Sequence, residues 1–235
     1  IDIGCRNILF RYNYSHDNDG GGILLCNTGG QVTLCDEDGN VRKDENGKVV
    51  TQKGRAEWSD VFIKNNVFAR NGKKKGNFPA LMHVAGSCEN VYFENNTVIF
   101  TDNAKQPLMT VAKWDSEYDS SSPNKFYFKN NVFLSPVPNE SYLRYTYMGE
   151  DYLFLSNVYH NMSDSFAEIA SDTKAFSFDP LIEMPDDLRG YEKIYDYAPS
   201  EKKCSEGALL IKGRNLYDAA GNKVAGRRYF GAIAA

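Results

Sequence analysis

The chain is poor in histidine (three residues) and tryptophan (two), and its five cysteines include no CxxC pair. Without CxxC a cysteine-built zinc site is not expected, and an odd total leaves at least one thiol free. Basic excess is also missing. A net charge of −4 and a pI of about 5.5 argue against nucleic acid as a partner. No apolar run approaches the roughly 20 residues that a membrane-spanning helix needs, so membrane insertion is not expected. What is present is 42% hydrophobic residues in 235, with 15 tyrosines and 14 phenylalanines. That is enough for a sizeable core in one or two domains. The aromatics suit β-strands, and they also suit surfaces that bind sugars.

The stretch Asn90–Phe100, NVYFENNTVIF, sets the pattern. Its frame recurs as NILFRYNYS (Asn7–Ser15), DVFIKNNVF (Asp60–Phe68), KFYFKNNVF (Lys125–Phe133) and DYLFLSNVY (Asp151–Tyr159). The fixed asparagines are Asn13, Asn66, Asn96, Asn131 and Asn157. The residues five and three before each are apolar or aromatic, and those two before are mostly charged. Such alternation marks a strand with one buried face. The residue two after the asparagine is Ser15, Phe68, Val98, Phe133 or Tyr159, so the core resumes past a bend. A second strand follows in most units: Gly22–Cys26, Ala80–Val84, Pro107–Val111 and Leu143–Tyr147. Its expected inward pairs are Leu24/Cys26, Met82/Val84, Met109/Val111 and Tyr145/Tyr147.

Units this short cannot bury an apolar face alone, so they must stack. The predicted fold is all-β: a right-handed parallel β-helix in which the asparagines form a ladder. An amide both donates and accepts, and asparagine tolerates the left-handed conformation that such bends need. A β-sandwich or propeller has no need of one asparagine at one place per unit.

The chain resembles the secreted bacterial right-handed parallel β-helix proteins, the pectate-lyase-like group of polysaccharide lyases and glycoside hydrolases. The resemblance rests on the repeat and on YNYSHDNDGG (Tyr12–Gly21). It rests also on a closing module with Asp179–Leu181, Ser205–Gly207, Asp218–Gly221 and Phe230–Ile233. It implies a protein that is secreted, periplasmic or at the cell surface, monomeric, and acting on a polysaccharide or oligosaccharide. The scaffold carries many chemistries, so the reaction has to be read from the site.

In chain order, residues 1–185 are expected to be coils. Residues 27–58 interrupt them as a projecting β-hairpin, with turn signals at Asp36–Asn40 and Glu45–Lys48. Residues 186–235 form a closing segment over the last coil's edge. Ile1 falls inside a coil, so further coils are expected to precede it. Cys5 and Cys88 hold the same place in their units, with Trp58 at that place between them. Cys26 reads as a small core residue.

The sharpest candidate site is the loop with His16, Asp17 and Asp19. Glycoside hydrolysis needs two carboxylates at a set separation, and His16 could tune them. Calcium is the one metal the loop's oxygens would suit, though no cofactor is required. The competing reading makes these residues turn formers around Gly20–Gly22. His83, on the outward side of a second strand in register with Leu25 and Thr110, is a candidate acid or base. Arg55, Glu57 and Trp58 beside the hairpin, and Lys113 and Trp114 in a second excursion, are candidate substrate contacts. The expected function is therefore a glycoside hydrolase. A lyase and a non-catalytic glycan binder are the alternatives; Arg11, Arg55, Lys64 and Lys113 could serve a lyase. Leu9, Phe62, Tyr92, Tyr127 and Leu153 form an outward row. It could stack sugars, or it could be covered by the tail or a loop.

Overall fold

The computed structural model describes residues 6–26, 31–53, 58–74, 79–85, 88–112, 125–140, 151–163, 171–185, 189–209, 217–224 and 226–234. The described residues are mostly β-strand, with two short helical segments at Tyr191–Tyr197 and Lys203–Glu206, and the strands lie mainly in three parallel sheets.

The first sheet orders β1 (Arg6–Arg11), β6 (Trp58–Lys64), β9 (Cys88–Glu94), β12 (Lys125–Lys129) and β14 (Asp151–Leu155). The second orders β2 (Tyr14–His16), β7 (Val67–Ala69), β10 (Thr97–Ile99), β13 (Val132–Asn139) and β15 (Val158–Met162). The third holds β3 (Ile23–Cys26), β8 (Met82–Ala85) and β11 (Met109–Ala112). The chain visits the sheets in rotation, so each unit of the repeat adds a strand to the first two. Register follows the repeat: Phe10 pairs with Ile63, and Ile63 with Phe93. Val61, Ile63, Val91, Phe93, Phe126, Phe128 and Phe154 are fully buried, and Phe68, Val98, Phe133 and Tyr159 join them in one core.

The asparagines form the expected ladder. The side-chain amide of Asn66 donates to Oδ1 of Asn96 (3.0 Å), that of Asn96 to Asn131 (3.2 Å), and that of Asn131 to Asn157 (2.9 Å). Each amide also donates to a first-sheet carbonyl, as Asn131 does to Phe93 (2.9 Å). The left-handed residue, however, is the one before the ladder asparagine. Tyr12, Asn65, Asn95, Asn130 and Ser156 have φ between 52° and 62°. The bend turns there, and the ladder asparagine points inward as its brace.

The second strand of the first unit departs from expectation. Ile23 and Leu25 are buried, whereas Leu24 is 42% exposed. Ile23 pairs with Met82 and Leu24 with His83. The inward pair is therefore Ile23/Leu25 and not Leu24/Cys26, and His83 aligns with Leu24 and not Leu25. The loop from the ladder asparagine to this strand differs in length between units, so the repeat does not fix the strand's register. Gly22 packs tightly beside it: a Cβ there would stand 2.9 Å from Leu81 and from Phe68. A one-residue slip moves every side chain to the other face. The expected pair Tyr145/Tyr147 lies outside the described residues, as do residues 1–5.

The excursion contains β4 (Gln31–Thr33) and β5 (Thr51–Lys53), which pair antiparallel. Between them, bridges Cys35–Val41 and Lys43–Val49 close two turns. Asp36 and Asp44 brace these turns by accepting backbone N–H bonds.

The tail runs along the outer face of the second sheet. Ile194, Tyr197, Cys204, Ala208, Phe230, Ala232 and Ile233 pack on Val67, Ala69, Ile99, Val132, Leu134 and Val158. The left-handed residues of the bends hold it. Asn65 donates to the Tyr229 hydroxyl (2.6 Å), Asn95 to the Tyr229 carbonyl (2.7 Å), Asn130 to the Leu209 carbonyl (2.7 Å), and Ser156 to the Gly207 carbonyl (3.2 Å). In each Asn-Asn pair the second asparagine braces the coil and the first clamps the tail.

The outward row on the first sheet stacks upon itself. Phe62 and Tyr92, and Tyr92 and Tyr127, have ring centroids 4.9 Å apart with planes within 11° of parallel. That spacing is the inter-strand distance. Lys64 lies over Phe62 (5.0 Å) and pairs with the buried Glu94 (2.8 Å). The tail's described residues pack on the second sheet and not on this row; its three aromatics are half-buried, while Leu9 and Leu153 at its ends are exposed.

Candidate functional site

The site grows from the bend that follows the second sheet. His16 pairs with Ala69 across β2 and β7, so Asp17 and Arg70 hold the same place on adjacent coils. Both are left-handed, with φ of 53° and 52°. The Asp17 N–H donates to the Ala69 carbonyl (3.0 Å), which locks the bend. Register thereby sets an acid over a base: Arg70 Nη2 lies 3.3 Å from the Asp17 carboxylate. His16 Nδ1 is 3.1 Å from the same carboxylate, and Lys73 Nζ contacts its other oxygen. Burial pushes the Asp17 carboxyl upward, but hydrogen bonds from Lys73, His16 and Arg70 outweigh it and hold the carboxyl below its ordinary value. Asp17 is a carboxylate at neutral pH, fitted to be a base, nucleophile or counter-ion and not an acid.

Arg70 and Lys73 face a cleft of about 1280 Å³. Loops from adjacent coils build it: Arg70, Gly72, Lys73 and Pro79 from one, and Thr101, Asp102, Asn103 and Lys105 from the next. Pro136 and Met184 complete the lining. Cations, an acid, an amide and a hydroxyl thus share one wall. The His16–Gly22 loop adjoins this lining, tied on by Gly72 N–H to the Gly20 carbonyl (2.6 Å) and Lys74 N–H to the Asp19 carbonyl (3.0 Å).

The structure brings His16 and Asp17 together. Asp19 is exposed on the same loop. His83 stands on the third sheet. It is outward by register yet only 6% exposed, and its Nδ1 lies 2.8 Å from Thr110 Oγ1. Burial lowers its pKa, so it is neutral at pH 7. Arg55, Glu57, Lys113 and Trp114 lie outside the described residues. Trp58 pairs with Cys88 in the first sheet, and its side chain lies outside them too.

Thr101, Asp102, Asn103 and Lys105 were not singled out from sequence. Their signal was position: TDNAKQP (Thr101–Pro107) begins at the place in its unit that Asn18 holds in the first. Among the described residues no group of three or more His, Cys, Asp or Glu gathers to hold a metal. Asp17, already contacted by three cationic or ionisable donors, is poorly suited to calcium. No described helix is long and apolar enough to cross a membrane. Comparison with protein-family models, curated proteins and solved structures finds no match.

Proposed function

We propose that this chain is a right-handed parallel β-helix that acts on a polysaccharide laid in the cleft beside Asp17. The rotation of strands through three parallel sheets, with an asparagine ladder at one bend, supports the solenoid. The observation that carries the function is the cleft wall. It sets Arg70, Lys73, Lys105, Asp102 and Asn103 on adjacent loops, a mixture of donors and acceptors suited to a hydroxyl-rich chain.

Hydrolysis is the reaction we favour. Asp17, held charged, serves as base or nucleophile, supported by His16. Asp19 or Asp102, both exposed, serves as acid once a sugar covers it. The cationic lining favours a second reading, in which an acidic polysaccharide is bound or is cleaved by β-elimination. A protein of this kind works outside the cytoplasm, where polysaccharide is met.

The test is incubation of the protein with alginate, polygalacturonate, xylan and pullulan. Reducing ends, ultraviolet absorbance of unsaturated products and retardation in polysaccharide-containing gels are read together. Hydrolysis predicts reducing ends without unsaturation, lost in Asp17→Asn/Asp19→Asn while retardation persists. Unsaturated product moves the reaction to elimination, and retardation without product leaves a binder. No product and no retardation on any polysaccharide would sink the proposal.

A further inference from the structure

A second column of amides stands at the cleft, one residue per coil: Asn18, Asn71, Gln106 and Asn139. Asn18 Nδ2 donates to Asn71 Oδ1 (2.7 Å), Gln106 Nε2 to the Asn71 carbonyl (2.6 Å), and Asn139 Nδ2 to the Gln106 carbonyl (3.2 Å). Irregular spacing and one glutamine hide it in the sequence.

Gln106 is the member whose side chain reaches furthest. It is 2% exposed. Its Oε1 accepts from the backbone N–H (2.7 Å) and hydroxyl (2.9 Å) of Thr101. Its Nε2 donates to the carbonyls of Asn71 (2.6 Å) and Pro79 (2.8 Å). Both ends of the amide are used twice. Every partner is a lining residue or, for Asn71, lies between two of them, Arg70 and Gly72. The bond to Thr101 closes the loop that carries Asp102, Asn103 and Lys105; the bonds to Asn71 and Pro79 anchor that loop to the one that carries Arg70 and Lys73. Gly72, at φ +82°, leaves the room: a Cβ there would collide with the Pro79 carbonyl and stand 2.7 Å from Gln106 Nε2.

We infer that Gln106 is the positioning residue of the cleft, fixing the spacing of its two loops and through it the affinity for polysaccharide. The ligand half of this role rests on the reading of the cleft as a polysaccharide site. The side chain is sealed beneath the wall and acts through Thr101, Asn71 and Pro79. An isosteric carboxylate keeps the shape but cannot donate to two carbonyls, so it separates bonding from packing.

The experiment compares wild type, Gln106→Glu, Gln106→Met and Arg70→Ala with Phe230→Ala, a tail variant that sets the reference for lost stability. Amide hydrogen exchange is read at residues 70–74, 79–82 and 101–107, with retardation in gels of the polysaccharide that binds wild type best. Gln106→Glu and Gln106→Met are expected to speed exchange in those segments beyond Phe230→Ala, and to weaken retardation on the order of tenfold to a hundredfold. Unchanged exchange there overturns the positioning role. So does faster exchange with unchanged retardation while Arg70→Ala loses it. A wild-type protein retarded by none of the four polysaccharides overturns the cleft reading and the ligand half of the role, whatever exchange shows.

Discussion

Asp172 ends the asparagine ladder by accepting from both the backbone N–H (3.0 Å) and the side-chain amide (2.8 Å) of Asn157. It also accepts from the Ser156 N–H (2.8 Å) and the Tyr159 hydroxyl (3.0 Å). Burial, then the neighbouring carboxylate, raises the Tyr159 pKa well above its ordinary value, so its phenol stays protonated and donates. An amide ladder always leaves one terminal donor set, and here a carboxylate takes it. Asp172→Ala should destabilise the protein by about 3 kcal/mol, because buried donors lose their acceptor. Asp172→Asn should lose roughly half as much. Urea unfolding measures both, and a loss under about 0.5 kcal/mol for the alanine variant would show that water replaces the cap.

The clamp between Asn65 and Tyr229 predicts how the tail is held. Tyr229→Phe removes a 2.6 Å hydrogen bond inside a buried contact. It should cost about 1 to 2 kcal/mol. Phe230→Ala, which empties a fully buried site against Phe176, should cost about 3 to 5 kcal/mol. Limited proteolysis should cut within residues 217–234 sooner in both. Equal cleavage rates in wild type and variants would mean that the tail is held elsewhere.

Much of the architecture was legible because the repeat ties one inward asparagine to fixed apolar positions. The strands around Asn66, Asn96, Asn131 and Asn157 pair in the expected register. The register at Ile23–Cys26 was not legible, since the loop between the ladder asparagine and this strand varies in length from unit to unit. The site was legible only in its first coil. Asp17 stood out as a carboxylate on a glycine-rich loop, but its partners Arg70 and Lys73 lie over fifty residues away and meet it only through stacking. Nothing local marked Asp102, Asn103 and Lys105, and nothing local shows that both ends of the Gln106 amide are bonded and buried.

Cys204 and Cys35 should differ sharply in reactivity. Cys204 is buried, and burial followed by the nearby Glu201 pushes its thiol up to about 12. Cys35 is exposed. The thiolate is the reactive form. Iodoacetamide at pH 8 should therefore modify Cys35 in the folded protein and leave Cys204 untouched until urea is added. Peptide mapping by mass spectrometry reads the two sites separately. Equal labelling of both without urea would place Cys204 in an opening part of the tail.

Asp17 predicts a pH dependence of definite sign. Its carboxyl is held below its ordinary value of 3.8, so the folded state binds its proton more weakly than the unfolded chain. The stabilisation is therefore fully present above the unfolded pKa and disappears as pH falls through the lower folded value. Asp17 keeps some contact with solvent, at 25% side-chain exposure, which limits the effect of its ion pairs to about 1 kcal/mol. Asp17→Asn should be less stable than wild type by that amount from pH 5 to 8. The two should converge below 3.8, and the gap at neutral pH should narrow in 1 M salt. Thermal melts across this range measure the difference directly. A gap that widens on acidification would mean that His16, Arg70 and Lys73 do not hold the carboxylate as the geometry requires.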